Sequence, residues 1–259
     1  MGPLDEHPRP QPGVALQTPP SLRWLSSVSQ QRREVEGSAL MRQSLYHSAL
    51  GQDVMYEVAQ VPEGGDAQTE AVVAMMSRYA TEDATSAEIR RDAQALMSER
   101  VAGDEPVDAV FRWVKRHLAF VKDEQTAIPF QSMAGPGSVV VETLIRPRDM
   151  SVLIGGSPQG DCDDFSMYTA ALLINLGIPA SFVTVAADPG SDDYSHIYVA
   201  AYPGGRRVAM ETSHGANPGW ETTKGKRVRE WPVGGGGLMG GGVGALAILA
   251  IGAWLLCRW

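Results

Sequence analysis

In this sequence, segments with helical patterning come first and segments with the character of β-strands come after them, and this order limits the possible folds. Apolar residues recur at helical spacing over residues 86–99, 106–118 and 165–176. Short segments with the character of β-strands follow, over residues 181–186, 196–202 and 206–211. Because the helices precede the strands and do not alternate with them, the sequence predicts an α+β domain.

The ends of these helices carry recognisable signals. Thr85 and Glu88 form a capping-box pattern at the start of the first helix, and Pro106 falls in the first turn of the second. Gly177 follows the third helix as a natural cap, and Pro179 prevents that helix from continuing. These signals fix where the predicted helices begin and end.

Composition excludes two broad classes of protein. The 259 residues contain 22 Lys and Arg against 30 Asp and Glu, a net charge of −8, whereas a general nucleic-acid binder is basic. Only two cysteines are present, too few for a secreted scaffold held together by disulfides. Cys162 and Cys257 lie in very different surroundings, so the sequence predicts a separate role for each.

The chain divides into three predicted regions. Residues 1–50 are a flexible, proline-rich arm without the apolar run of a signal peptide, and residues 51–230 form the globular domain. Residues 231–259 are a glycine hinge and a hydrophobic tail, in which residues 238–257 are long enough to cross a bilayer as a helix. Basic residues before the tail would keep the domain on the cytoplasmic side. The alternative is a tail that packs on the protein's own core.

Cys162 is the candidate nucleophile, because the block Gly160-Asp161-Cys162-Asp163-Asp164-Phe165 leads directly into the third helical pattern. A cysteine in the first turn of a helix has its thiolate stabilised by the helix dipole. The neighbouring aspartates act in the opposite direction and raise the thiol pKa. Activation of Cys162 therefore requires a partner base.

His196 is the candidate base, since it opens one strand while Glu211 ends the next, and His214 is a second possibility. Pro203-Gly204-Gly205 predicts a hairpin between these strands. A two-residue loop would put His196 diagonally beside Glu211 on one face, and a four-residue loop would put them directly opposite. A three-residue loop without a bulge would separate them onto opposite faces.

Three blocks of the sequence resemble the transglutaminase-like superfamily, relatives of the papain-type cysteine proteases. They are Gly160-Asp161-Cys162-Asp163-Asp164-Phe165-Ser166, His196-Ile197-Tyr198-Val199 and Met210-Glu211-Thr212-Ser213. The resemblance covers roughly residues 85–222. It implies an α+β core with helices at its N-terminal end and a cysteine-headed helix on an antiparallel sheet, to which the C-terminal hydrophobic helix would be added.

The resemblance also implies roles for single residues. Cys162 would be the nucleophile, His196 the base and Glu211 the acid that orients it, although the family more often has Asp at that position. Asp164 would make a structural hydrogen bond near the site. The backbone N–H of Cys162 would be one oxyanion donor, and Gln159 is the candidate for the second.

The implied chemistry is acyl transfer from a carboxamide or peptide carbonyl through a thioester on Cys162, without a cofactor or metal. A peptidase or amidase using the same three residues is an alternative. A second is a non-catalytic, membrane-tethered structural or binding protein, such as a phage virion component. The expected partners are a protein or peptide substrate and a membrane, and not nucleic acid, with the oligomeric state open. The expected location is the cytoplasmic face of a membrane, or the virion for a phage protein.

Overall fold

The computed structural model describes residues 41–47, 52–58, 61–62, 64–122, 143–152, 158–222 and 227–234. Within these ranges the helices are α1 (Gly65–Asp83), α2 (Ala87–Ser98), α3 (Pro106–His117), α4 (Pro147–Val152) and α5 (Cys162–Asn175). The strands are β1 (Met41–His47), β2 (Gln52–Val58), β3 (Ala119–Phe120), β4 (Gln159–Gly160), β5 (Ala180–Val185), β6 (His196–Ala201), β7 (Val208–Met210) and β8 (Val228–Pro232).

Helices α2 and α3 confirm the predictions over residues 86–99 and 106–118. The cap of α2 differs from the expected one, because the side chain of Ser86, not Thr85, accepts a hydrogen bond from the Ile89 N–H at 3.2 Å. Helix α3 begins with Pro106, and the Glu105 N–H donates to Asp108 Oδ2 at 2.9 Å. Each helix buries one apolar face, as an amphipathic helix does.

Helix α5 is buried on every side, which differs from the one-sided apolar stripe predicted for residues 165–176. All residues from Cys162 to Leu173 are buried. The helix contacts α1, α2 and α3 as well as β5 and β6, so protein covers its whole circumference. Gly177, with φ of 74°, lies just beyond its end as predicted. Helix α5 is therefore the central element of the core.

A buried chain of hydrogen bonds joins three of the helices. The Trp113 indole N–H donates to the Tyr168 hydroxyl at 3.0 Å, and that hydroxyl donates to Asp92 Oδ2 at 2.8 Å. Burial raises the pKa of Tyr168, so its hydroxyl stays protonated and remains a donor. The chain ties α3 and α2 to α5 and fixes the helix that carries Cys162.

The main sheet has the order β7-β6-β5-β8, and all neighbouring strands are antiparallel. Together with the helices on it, this sheet confirms the predicted α+β class. Strand β8 was not predicted. It pairs with β5, and its residues 228–232 span the expected domain boundary at residue 230. The Trp231 indole N–H donates to Thr184 Oγ1 at 2.9 Å.

The hairpin between β6 and β7 has the register expected for a two-residue loop. Val199 pairs with Met210, and Ala201 with Val208. The chain turns through a short 3₁₀ segment, Pro203–Gly205, where Gly204 and Gly205 have φ of 58° and 83°. The third predicted strand, over residues 206–211, is shorter than expected. Glu211 lies just beyond the end of β7.

Parts of two predicted regions lie outside the described residues. Strand β1 pairs with β2 as a hairpin and begins within the predicted arm, of which residues 1–40 are not described. Across the part of the chain that is described, none of the helices is both long enough and apolar enough to span a bilayer. The predicted span, residues 238–257, and Cys257 lie outside that part.

Candidate active site

Cys162 is the first residue of α5, and a reciprocal cap holds the turn around it. The Asp161 side chain accepts a hydrogen bond from the Asp163 N–H at 3.3 Å, while Asp164 Oδ2 accepts one from the Asp161 N–H at 3.4 Å. Asp164 Oδ1 also accepts from the Ile145 N–H at 2.7 Å. Asp164 thus ties the segment before α4 to the turn that carries the cysteine.

Gly160 is required by this cap, because a side chain there would collide with it. An added Cβ would lie 2.5 Å from Asp164 Oδ2 and 2.8 Å from the Met150 Cε. We therefore expect Gly160→Ala to lower the free energy of unfolding by about 1–3 kcal/mol, as overpacking does. Urea denaturation followed by circular dichroism measures this change.

Gly190→Ala is the matched control for Gly160→Ala. Its added Cβ would approach nothing closer than Asp188 Oδ1, at 3.3 Å, in an exposed turn. We expect it to change the free energy of unfolding by less than about 0.5 kcal/mol. Equal changes in the free energy of unfolding for the two substitutions would show that crowding against Asp164 is not the reason for a glycine at position 160.

Ser166 links the first turn of α5 to the start of β6. Its hydroxyl lies 2.6 Å from the Cys162 carbonyl oxygen and 3.3 Å from that of Ile197. Ile197 directly follows His196 in β6. The candidate nucleophile and the candidate base therefore lie on two elements that one buried side chain joins.

His196 and Glu211 are in direct contact, through His196 Nε2 and Glu211 Oε2. Both side chains are almost fully buried, at 3% and 0% exposure. Burial raises the pKa of Glu211, but the hydrogen bond and charge of His196, with hydrogen bonds from Ser213 and His214, lower the pKa overall. Glu211 is therefore ionised at neutral pH and can only accept hydrogen bonds.

The contact with Glu211 determines which nitrogen of His196 is protonated. Because the carboxylate accepts, Nε2 of His196 carries the hydrogen. The other ring nitrogen, Nδ1, is buried and has no hydrogen-bond partner among the described residues. Neutral His196 thus presents a lone pair on Nδ1, as a general base requires.

His214, the second candidate base, also lies at this site. Its ring centroid is 5.4 Å from that of His196 and 4.8 Å from that of Phe120. Partial burial and then the positive charge of His196 lower the pKa of His214. From the sequence, His214 was a candidate base only because it follows the strand that ends at Glu211. Its contact with Phe120 depends on β3, which pairs with β4 directly ahead of Cys162.

Gln159 and Cys162 lie in different environments, the first exposed and the second fully buried. Gln159, the candidate second oxyanion donor, is exposed in β4 and pairs with Ala119 of β3. Cys162 is fully buried and disulfide-bonded, and the described residues contain no second cysteine. A nucleophilic Cys162 would be its reduced form.

Two groups of side chains at the site have donor atoms suited to a metal ion. The donor atoms of His196, Glu211 and His214 lie within 4.8 Å of one another, and so do those of Asp161, Asp163 and Asp164. In the first group the histidine and the carboxylate are already hydrogen-bonded to each other, and in the second the carboxylates cap a helix. Hydrogen bonds within the protein therefore already involve some of the possible ligand atoms in each group.

Comparison with known proteins gives neighbours among solved structures alone. No protein-family model and no curated protein matches the chain. A candidate cysteine protease from Cytophaga hutchinsonii is similar over 62% of this chain and 50% of its own, with 18% identity and a TM-score of 0.36. A candidate protease from Parabacteroides distasonis is similar over 70% of this chain and 37% of its own, with 16% identity and a TM-score of 0.39.

A transglutaminase structure is a third neighbour, similar over 78% of this chain and 41% of its own, with 14% identity and a TM-score of 0.31. The chain thus matches half or less of the length of each of these structures. The three neighbours are thus a candidate cysteine protease, a candidate protease and a transglutaminase. At such low TM-scores the function of the site has to be argued from its side-chain geometry.

Proposed function

We propose that the protein is a thiol-dependent acyltransferase or hydrolase that acts on carboxamide or peptide carbonyls. The observation that carries the proposal is the contact between His196 Nε2 and the buried carboxylate of Glu211, with His196 Nδ1 left without a hydrogen-bond partner among the described residues. The Nε2 hydrogen of His196 is directed at this carboxylate, which leaves Nδ1 as a lone-pair acceptor. The base begins the strand that Ser166 joins to the first turn of α5.

In the first half of the reaction, Nδ1 of His196 removes the proton from the Cys162 thiol. The sulfur attacks the carbonyl carbon, and the imidazolium returns the proton to the nitrogen as the C–N bond breaks. The nitrogen leaves as ammonia or an amine, and a thioester remains on Cys162. Glu211 stabilises the imidazolium that forms in this step, because a buried negative charge lies against Nε2.

In the second half, water or an amine attacks the thioester. His196 takes a proton from the attacking group and returns it to the sulfur as the thiol is released. Water gives a carboxylic acid, and an amine gives a new amide. The N–H of Cys162 is the proposed first donor to the developing oxyanion, because it lies at the N-terminus of α5, where the helix dipole favours negative charge. Gln159 is the proposed second donor.

The local charges make the base necessary. Asp161, Asp163 and Asp164 surround Cys162 in sequence and are buried with it. Negative charges close to a thiol disfavour the thiolate, whereas a protonated His196 favours it. The proposal therefore requires that any depression of the Cys162 pKa comes from His196.

The rate of Cys162 alkylation against pH tests the proposal. The protein is the full chain carrying Cys257→Ser, reduced before iodoacetamide is added, with the modified residue identified by peptide mass spectrometry. We expect the rate to follow a titration below the ordinary cysteine pKa of about 8.5, because an imidazolium beside the thiolate stabilises it.

Denatured protein is the reference for this measurement, because Cys162 is fully buried in the fold. The absolute rate reports access of the reagent to the sulfur, whereas the midpoint of the pH profile reports the thiol pKa. A midpoint at or above that of the denatured protein would overturn the proposal and favour a non-catalytic binding protein.

A further inference from the structure

The two oxygens of Glu211 have different partners. Oε2 contacts His196, whereas Oε1 accepts a hydrogen bond from the Ser213 hydroxyl at 2.6 Å and one from the His214 N–H at 3.3 Å. Glu211 is fully buried, so these bonds replace the solvation that its charge loses. The carboxylate is therefore held on the side facing away from His196 as well as on the side facing it.

The donor and the acceptor can be assigned for each hydrogen bond that joins His214, Ser213 and Glu211. Ser213 has one hydroxyl hydrogen and gives it to Glu211, because the carboxylate only accepts. Ser213 Oγ also lies 3.0 Å from His214 Nδ1, and it can only accept there. His214 therefore carries a hydrogen on Nδ1. The series of hydrogen bonds therefore runs from His214 through Ser213 to Glu211, and Glu211 also accepts a hydrogen bond from His196.

The turn that holds Ser213 is fixed at several points. The Lys115 ammonium donates to the Ser213 carbonyl at 3.2 Å, and the hydroxyls of Thr212 and Thr169 lie 3.1 Å apart. The Gly215 N–H donates to the Glu211 carbonyl at 2.8 Å, and a Cβ on Gly215 would lie 2.4 Å from that same oxygen. The backbone thus directs the Ser213 hydroxyl at Glu211.

We propose that Ser213 and His214 are positioning residues that hold Glu211 in the orientation that keeps the proton of neutral His196 on Nε2 and leaves Nδ1 as the base. This inference rests on the proposed function, since it names residues that act on the same base. Ser213 acts through Glu211, and His214 acts through Ser213. Without the Ser213 hydroxyl, the carboxylate loses its shortest bond on the Oε1 side and can rotate away from His196.

The first test reads the tautomer of His196 directly and does not depend on thiol chemistry. The ¹⁵N resonances of the ring are recorded by NMR in full-length protein carrying Cys162→Ala, with and without Ser213→Ala. An unprotonated ring nitrogen resonates well apart from a protonated one, so the spectrum reports which nitrogen carries the hydrogen. We expect Nε2–H in the parent protein and a mixture of the two tautomers in Ser213→Ala.

The second test measures alkylation of Cys162 at pH 6 in the reduced Cys257→Ser protein. We expect Ser213→Ala to lower the rate about 10- to 100-fold, the range for one hydrogen bond to a charged group. Ser213→Thr keeps the hydroxyl and should restore most of the rate. Ser191→Ala removes an exposed turn hydroxyl that bonds Asp193 and should change nothing.

A parallel pair of variants tests His214 if Ser213→Ala does not fold. His214→Asn places an amide N–H where Nδ1–H lies and should keep the tautomer of His196, whereas His214→Leu should not. An unchanged His196 spectrum in both Ser213→Ala and His214→Leu would overturn the inference. The two proposals can also be separated. If Ser213→Ala shifts the His196 spectrum and Ser213→Thr keeps that of the parent protein, the positioning role is upheld. If the Cys162 thiol is at the same time unreactive in every variant, the proposed function is rejected.

Discussion

Cys162→Ala is expected to abolish formation of an acyl-enzyme while leaving the fold intact. The proposed reaction stores the acyl group on the Cys162 sulfur, and no other side chain can replace that atom. With an activated acyl donor, such as the p-nitrophenyl ester of a short peptide, the reduced protein should gain the mass of the acyl group. The variant should not gain this mass, and its rate of acyl transfer should fall by about 10⁴-fold or more.

Cys257→Ala is the matched control for this experiment, because it removes the only other cysteine in the chain. We expect it to form the acyl-enzyme as the parent protein does. Unfolding in urea checks that Cys162→Ala remains folded, since loss of a buried sulfur at the start of α5 alone costs only about 1 kcal/mol. Acyl transfer retained by Cys162→Ala would reject the mechanism.

Local signals in the sequence were sufficient to predict helices α2, α3 and α5, and they limited the hairpin register to the three loop lengths considered. Helix α2 has a polar cap and a regular apolar stripe, and Gly177 ends α5 because it adopts a positive φ. The register of β6 and β7 followed from one of the loop lengths considered for Gly204 and Gly205. These features depend on neighbours in sequence, which is why a single chain was enough to predict them.

Features that depend on distant parts of the chain could not be read in the same way. Strand β8 pairs with β5 although more than 40 residues separate them, and its five residues are mostly exposed and do not alternate between buried and exposed. The burial of α5 on all sides follows from the four helices and the sheet that surround it. No local pattern in residues 162–175 specifies those neighbours.

The site shows the same division between local and distant determinants. The block around Cys162 and the placement of His196 and Glu211 at neighbouring strand ends followed from the sequence. The hydrogen bonds from Ser213 and His214 to Oε1 of Glu211 could not be predicted from the sequence. They depend on a turn that Lys115 of α3 and Thr169 of α5 hold in place. A serine two residues after an acidic residue does not by itself predict a hydrogen bond between their side chains.

His196→Gln is expected to remove the activation of Cys162. At pH 6 a thiol with an ordinary pKa of about 8.5 is less than about 1% ionised, so loss of the imidazolium should lower the alkylation rate about 100-fold or more. Asp161, Asp163 and Asp164 then disfavour the thiolate without opposition, and the pH midpoint should rise to at least the value of the denatured protein. His117→Gln is the control, since His117 ends α3, where its Nδ1 lies 2.9 Å from the Trp113 carbonyl oxygen, and has no part in the proposed mechanism.

Glu211→Gln separates the role of the acid from that of the base. The pKa of Glu211 is lowered from its ordinary value of 4.5, so its charge is present above that pH and is lost only as the pH falls through the lower, folded value. Between pH 5 and 7 the parent protein should therefore keep its thiolate–imidazolium pair, whereas Glu211→Gln lacks the charge at every pH. We expect an alkylation rate between those of the parent and His196→Gln. A rate equal to that of the parent would mean that Glu211 does not support His196.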